Sequence, residues 1–183
     1  MKKVFLIHGF EGSPNGGWRP WLMAELGKLD IYACALAMPN PDNPICDEWV
    51  DEITRNVEKN QSDEIYLIGH SLGAPTILRY LEKSSGKIAG VILVSSPSEK
   101  NNNKKIDSFL ENPFNFSAIK SKTNNICIIH GENDPNVPLN NAEFLSKELN
   151  CNFVIIPNGG HLNGSSGWTI LPQVLEELKK MFK

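Results

Sequence analysis

Six short apolar runs punctuate the chain, at residues 4–7, 31–36, 65–68, 91–94, 126–129 and 153–156. They are rich in Val and Ile and mostly lack an alternating polar partner. Strands read this way when both faces of a sheet are covered. Between the runs, apolar residues return at helical spacing. Trp49, Ile53 and Val57 recur every fourth residue behind Asp47, a candidate N-cap. Ile77, Leu78 and Leu81 form a second stripe, and Phe144, Leu145 and Leu149 form a third behind Pro138. Leu171, Val174, Leu175, Leu178 and Phe182 form the stripe that closes the sequence. The alternation predicts an α/β fold, a three-layer α/β/α sandwich around a parallel sheet.

The segment 95–125 breaks the rhythm. Its Asn101-Asn102-Asn103 and Lys104-Lys105 read as a solvated loop, with a short helix expected near 114–119. At about thirty residues it is too small for a lid domain. No repeat, linker or low-complexity tract divides the chain, so 183 residues are expected to form one domain, 1–183.

A net charge of −3 leaves no broad basic face, so neither nucleic acid nor an anionic membrane is expected as a partner. No apolar stretch nears the roughly 20 residues of a membrane span. Lys2-Lys3 imitates a secretory start, but the run at 4–7 ends at His8-Gly9, too short for a signal core. A cytoplasmic protein follows as the expectation. Cys34, Cys46, Cys127 and Cys151 form no C-x-x-C pair and read as buried thiols.

Chemistry enters at Gly69-His70-Ser71-Leu72-Gly73. This G-x-S-x-G follows the apolar run 65–68 and precedes a helical stripe, the strand-turn-helix setting of a nucleophile elbow. The turn strains the serine backbone, so positions two residues away must lack bulk. Pro75 is tolerated in a first helical turn, where its missing N–H has no partner to lose.

A serine hydroxyl needs a base, and the base needs a group to fix its tautomer. His161 follows the last apolar run and is the candidate base. Asp134 follows the run 126–129 and is the candidate acid, with Glu132 close by as the competing carboxylate. His8, His70 and His130 read as structural. The four histidines lie on separate loops without metal-ligand spacing, so no metal is expected. The N–H groups of Leu72 and Phe10 are the candidate oxyanion donors. Trp18, Phe114, Phe116, Leu162 and Trp168 are candidates for an apolar substrate pocket.

These residues resemble the α/β-hydrolase superfamily, and within it the small serine hydrolases grouped with retinoblastoma-binding protein nine. The likeness spans nearly the whole chain. It includes Gly17-Trp18 with Trp21, Met38-Pro39-Asn40-Pro41, Gly69-His70-Ser71, Pro113-Phe114-Asn115-Phe116, Asp134-Pro135 and Gly160-His161. The resemblance implies a compact α/β-hydrolase fold of six parallel strands and a Ser-His-Asp triad at Ser71, His161 and Asp134. One departure is the first loop, which can be glycine-rich in the family and here is His8-Gly9-Phe10-Glu11-Gly12. Pro44-Ile45-Cys46-Asp47-Glu48 lacks the Leu of the L-x-C-x-E peptide associated with retinoblastoma-type pockets, so no such partner is expected.

The expected activity is cofactor-free hydrolysis of a small ester, or of an amide, through an acyl-enzyme on Ser71. The alternative is a binding module that keeps the fold without turnover.

Overall fold

The computed structural model describes residues 1–60 and 63–182. Six strands form one sheet: β1 (Lys2–Ile7), β2 (Tyr32–Leu36), β3 (Glu64–His70), β4 (Gly90–Val94), β5 (Ile126–Gly131) and β6 (Asn152–Ile156). Their order is β2-β1-β3-β4-β5-β6, and each neighbouring pair is parallel. Five of the six strands reach beyond their apolar runs because ladder bonding is indifferent to side-chain type. Lys2 thus pairs with Glu64 at the sheet's near end, and His70 with Val94 at its far end.

Seven helices accompany the strands among the described residues: α1 (Arg19–Gly27), α2 (Cys46–Glu58), α3 (Gly73–Lys83), α4 (Asp107–Leu110), α5 (Phe116–Lys122), α6 (Leu139–Leu149) and α7 (Pro172–Met181). Alternate strand residues face opposite ways, and two cores result. Phe5, Ile7 and Leu67 pack with Trp49 and Ile53 of α2, Ile77 and Leu78 of α3, and Leu145 of α6. Val4, Leu6 and Ile68 pack with Leu22 and Leu26 of α1 and Val174 and Leu178 of α7. Helices therefore cover both faces, and the layer order is α/β/α.

Two local expectations are corrected, and one helix was not anticipated. Helix α2 begins at Cys46 behind Ile45, so Asp47 is not its cap. Asp47 and Glu48 instead sit in the first turn, where negative charge favours the helix dipole. Helix α1 had no clear periodic signal, yet Pro20 near its start and the buried Leu22 and Leu26 pair account for it. The segment 95–125 holds α4 as well as α5, and Phe109 of α4 is fully buried against Trp49 at 5.6 Å between ring centroids.

The site depends on strand order. From β1 the chain crosses to β2 on one side, then returns so that β3 lies on the other. The crevice above β1 and β3 is the switch point where open α/β sheets bind ligands. Ile7 and Gly69 lie in register at that rim, so the loops that follow them start side by side.

Candidate active site

Ser71 sits at the turn from β3 to α3 with φ +52°, left-handed backbone that costs a non-glycine residue energy. Its surroundings hold it there. The Ser71 N–H donates to the Val94 carbonyl at 2.8 Å, and the Ser71 carbonyl accepts from Ala74 N–H at 3.0 Å. The flanking glycines are steric requirements: a methyl at Gly69 would fall 2.6 Å from the Ala74 nitrogen, and one at Gly73 would strike the Ile7 carbonyl.

Asp134 lies in the loop after β5, its side chain fully buried. Oδ1 accepts from the N–H groups of Asn136 and Val137 at 2.8 and 2.9 Å. His161 Nδ1 lies 3.0 and 2.8 Å from the two carboxylate oxygens. Burial pushes this carboxyl up. The hydrogen bond and charge of His161, with the two amides, outweigh burial and hold it below the ordinary range. An ionised carboxylate only accepts, so His161 carries its proton on Nδ1 and offers the Nε2 lone pair. Nε2 lies 3.0 Å from Ser71 Oγ, which donates to it.

The loop carrying His161 is tied from below. His70 Nε2–H donates to the His161 carbonyl at 2.9 Å, and Ser95 Oγ donates to the same oxygen at 3.2 Å. Trp18 Nε1–H donates to the Leu162 carbonyl at 2.9 Å, and Trp168 Nε1–H to the Gly159 carbonyl at 2.7 Å. Asn133 Oδ1 accepts from Gly160 N–H at 2.8 Å.

The serine hydrolase family matches the chain across residues 4–180. The chain belongs to the serine hydrolase family. YdeN of Bacillus subtilis (strain 168), named as a hydrolase, is 30% identical over 184 residues, covering 99% of this chain and 96% of that protein. The crystal structure of YdeN superposes with a TM-score of 0.94 at 31% identity, covering 100% of this chain and 99% of the other. Serine hydrolase RBBP9 of Rattus norvegicus is 23% identical over 168 residues, covering 89% of this chain and 88% of that protein. A YdeN-like hydrolase of Pectobacterium atrosepticum shares the fold, with a TM-score of 0.76 at 20% identity, covering 99% and 90% of the two chains. The protein is thus a hydrolase of compact α/β-hydrolase fold.

Above Ser71 the hydrolase has an open cavity of about 580 Å³. Gly9, Phe10 and Leu72 line it beside the serine, and Pro97, Asn101–Asn103 and Ile106 wall it from the segment after β4. Arg19, Asn136 and Asn163 add further polar groups. Among the described residues, neither the Phe10 nor the Leu72 N–H donates to another protein group.

The expected apolar pocket is corrected, because none of its five residues lines this cavity. Trp18 and Trp168 turn their indole N–H groups to carbonyls of the His161 loop. Leu162 is fully buried in the core beneath that loop, at φ +48°. Phe114 packs under the Arg79 guanidinium at 4.1 Å, and Phe116 packs between Phe114 and Phe144. The lining is mixed, with Arg19 and the asparagines beside Phe10, Leu72, Pro97, Ile106, Pro135 and Val137. Asn101–Asn103 read as a mere solvated loop in sequence, and Arg19 gave no signal beyond its place between Trp18 and Trp21.

The remaining histidines are buried and bonded locally. His8 Nδ1–H donates to the Gly9 carbonyl at 2.8 Å, and its Nε2 accepts from Met38 N–H at 3.3 Å. His130 Nε2–H donates to the Val137 carbonyl at 2.9 Å. Burial holds the pKa of His8, His70 and His130 below the ordinary value, that of His70 to about 3. Among the described residues no three His, Cys, Asp or Glu side chains converge as metal ligands, and no helix is long and apolar enough to cross a membrane.

Proposed function

We propose that Ser71, His161 and Asp134 act as nucleophile, base and orienting acid in hydrolysis of a small ester or amide. The observation that carries this is the continuous hydrogen-bonded chain from Ser71 Oγ through both ring nitrogens of His161 to a buried carboxylate. His161 Nε2 takes the Ser71 proton as Oγ bonds to the substrate carbonyl carbon. The N–H groups of Leu72 and Phe10 hold the oxyanion, a role supported by their place beside Ser71 and their lack of another acceptor. The positive end of α3 adds to that field. The tetrahedral species collapses and the leaving alcohol or amine departs with the proton from His161. His161 then takes a proton from water, whose oxygen attacks the acyl carbon, and the acid is released as Ser71 regains its hydrogen.

Labelling with a fluorophosphonate followed by peptide mapping tests the nucleophile, and an adduct on Ser71 is the expected result. Ser71→Ala should lose both the adduct and about 10³-fold or more of nitrophenyl ester turnover with the fold unchanged. Unaltered turnover in that variant refutes the assignment. A folded wild-type protein that takes no label favours the binding module instead.

A further inference from the structure

The cavity beside Ser71 holds a buried cation that the hydrolytic scheme leaves unused. Arg19 lines it and is only 6% exposed. Its Nε and Nη2 donate to the Ser13 carbonyl at 3.2 and 2.9 Å, and among the described residues Nη1 has no protein acceptor. No carboxylate of the described residues lies within the 4.0 Å of an ion pair. The contrast is Arg79, also buried, whose Nη1 meets Glu82 at 2.9 Å.

An unpaired buried charge is costly, and proteins normally partner it. The location of Arg19 adds to the cost. It is the first residue of α1, whose first turn contains no acidic side chain, so the positive end of the helix dipole faces another positive charge. Burial lowers the Arg19 pKa to about 10, which leaves the guanidinium protonated at neutral pH. Its neighbours His8 and His70 are held neutral, chiefly by burial, and cannot serve as counter-ions. Glu11, the only carboxylate among the described residues that line the cavity, is exposed to solvent. The guanidinium also lies 6.0 Å from the Trp18 ring centroid, but neither that contact nor the neutral Ser13 carbonyl supplies a negative counter-charge.

We propose that Arg19 is a specificity-determining residue that recognises a carboxylate carried by the substrate. This deepens the reading of Ser71 as nucleophile and rests on it. The guanidinium offers a carboxylate a charge-assisted hydrogen bond from a buried position in the wall of the open cavity. Asn101, Asn103, Asn136 and Asn163 supply neutral polar groups on the same cavity. The hydrolase accordingly favours esters bearing an acid group over their neutral counterparts.

The test uses matched esters on the full chain. Mono(4-nitrophenyl) adipate against 4-nitrophenyl hexanoate places the carboxylate in the acyl part, and 4-acetoxybenzoate against 4-acetoxybenzamide places it in the leaving group. The wild type should prefer the carboxylate-bearing member of at least one pair in kcat/KM. Arg19→Gln should lower that preference about ten- to a hundredfold, leaving the neutral ester within about threefold of wild type. Arg19→Lys keeps the charge without the fork, so it should retain part of the preference and supplies the result if Arg19→Gln does not fold. No preference in the wild type, or an equal fall on both members of each pair, overturns the proposal. Adipate binding to Ser71→Ala by calorimetry reads the anion site without turnover, and Arg19→Gln added to that variant should abolish it. Binding that survives the added substitution overturns the proposal. Absence of any label or turnover at Ser71 removes the hydrolytic reading, while the adipate measurement still decides Arg19.

Discussion

His70 makes the fold sensitive to acid, and the size of the effect follows from its surroundings. The ring is 5% exposed, packed edge-on against Trp18 and His161, and bonded through Nε2–H to the His161 carbonyl. Burial, with the charges of His161 and Arg19, lowers its pKa to about 3, against the opposing pull of the His161 carbonyl and Asp134. The unfolded chain takes up this proton near pH 6.5 and the folded protein does not until about 3. The contribution to stability is therefore complete above pH 6.5. It declines by up to about 1.4 kcal/mol per pH unit below that value, and the decline ends near pH 3. Between pH 7.5 and pH 5 the loss from this one ring is about 2 kcal/mol. His70→Gln keeps an N–H donor for the His161 carbonyl and removes the titration. Urea unfolding of both proteins at the two pH values isolates the effect, because His8 and His130 titrate alike in each. The variant should lose about 2 kcal/mol less than the wild type on acidification. Equal losses would refute the reasoning.

Three further outcomes are expected. Asp134→Asn should keep the fold but lower kcat by about 10³- to 10⁴-fold on a nitrophenyl ester, since an amide no longer fixes the proton on His161 Nδ1. Gly9→Ala should lower kcat/KM about a hundredfold, because the added methyl would sit 2.9 Å from Ser71 Cβ and force the serine or the Phe10 amide out of place; circular dichroism and the same ester assay check it. Burial raises the thiol pKa of Cys46 and Cys151 to about 11 and of Cys127 to about 12, so iodoacetamide at pH 8 should leave all three unmodified in native protein and modify them in urea, as mass spectrometry of peptides will record.

The framework was legible wherever one physical demand dominates a position. Strands buried on both faces can use little besides apolar residues, so all six runs marked the sheet. The strained turn at Ser71 tolerates only glycine two residues to either side, which made the elbow readable. Asp134 and His161 were traceable because each follows the rim end of a strand, and adjacent β5 and β6 bring their loops together. The cavity wall was not legible, because a loop side chain points wherever its nearest partner lies. Trp18 and Trp168 looked like pocket aromatics, but the N–H of buried Trp18 must find an acceptor, that of half-buried Trp168 takes one as well, and the His161 loop supplies both. Helix α4 is too short to announce a period, and Phe109 fixes it only through tertiary contact.

The segment after β4 walls the cavity with Pro97, Asn101–Asn103 and Ile106 yet contributes nothing to the chain from Ser71 to Asp134. This part of the wall thus lies on a different stretch of polypeptide from the proposed triad, although Asn136 and Asn163, on the Asp134 and His161 loops, line the cavity too. Loop closure grows costlier by only about 0.6 kcal/mol for each doubling of length. Lengthening or grafting this stretch is accordingly an inexpensive way to deepen the mouth of the site, for evolution or for an engineer, with the chemistry beneath left intact.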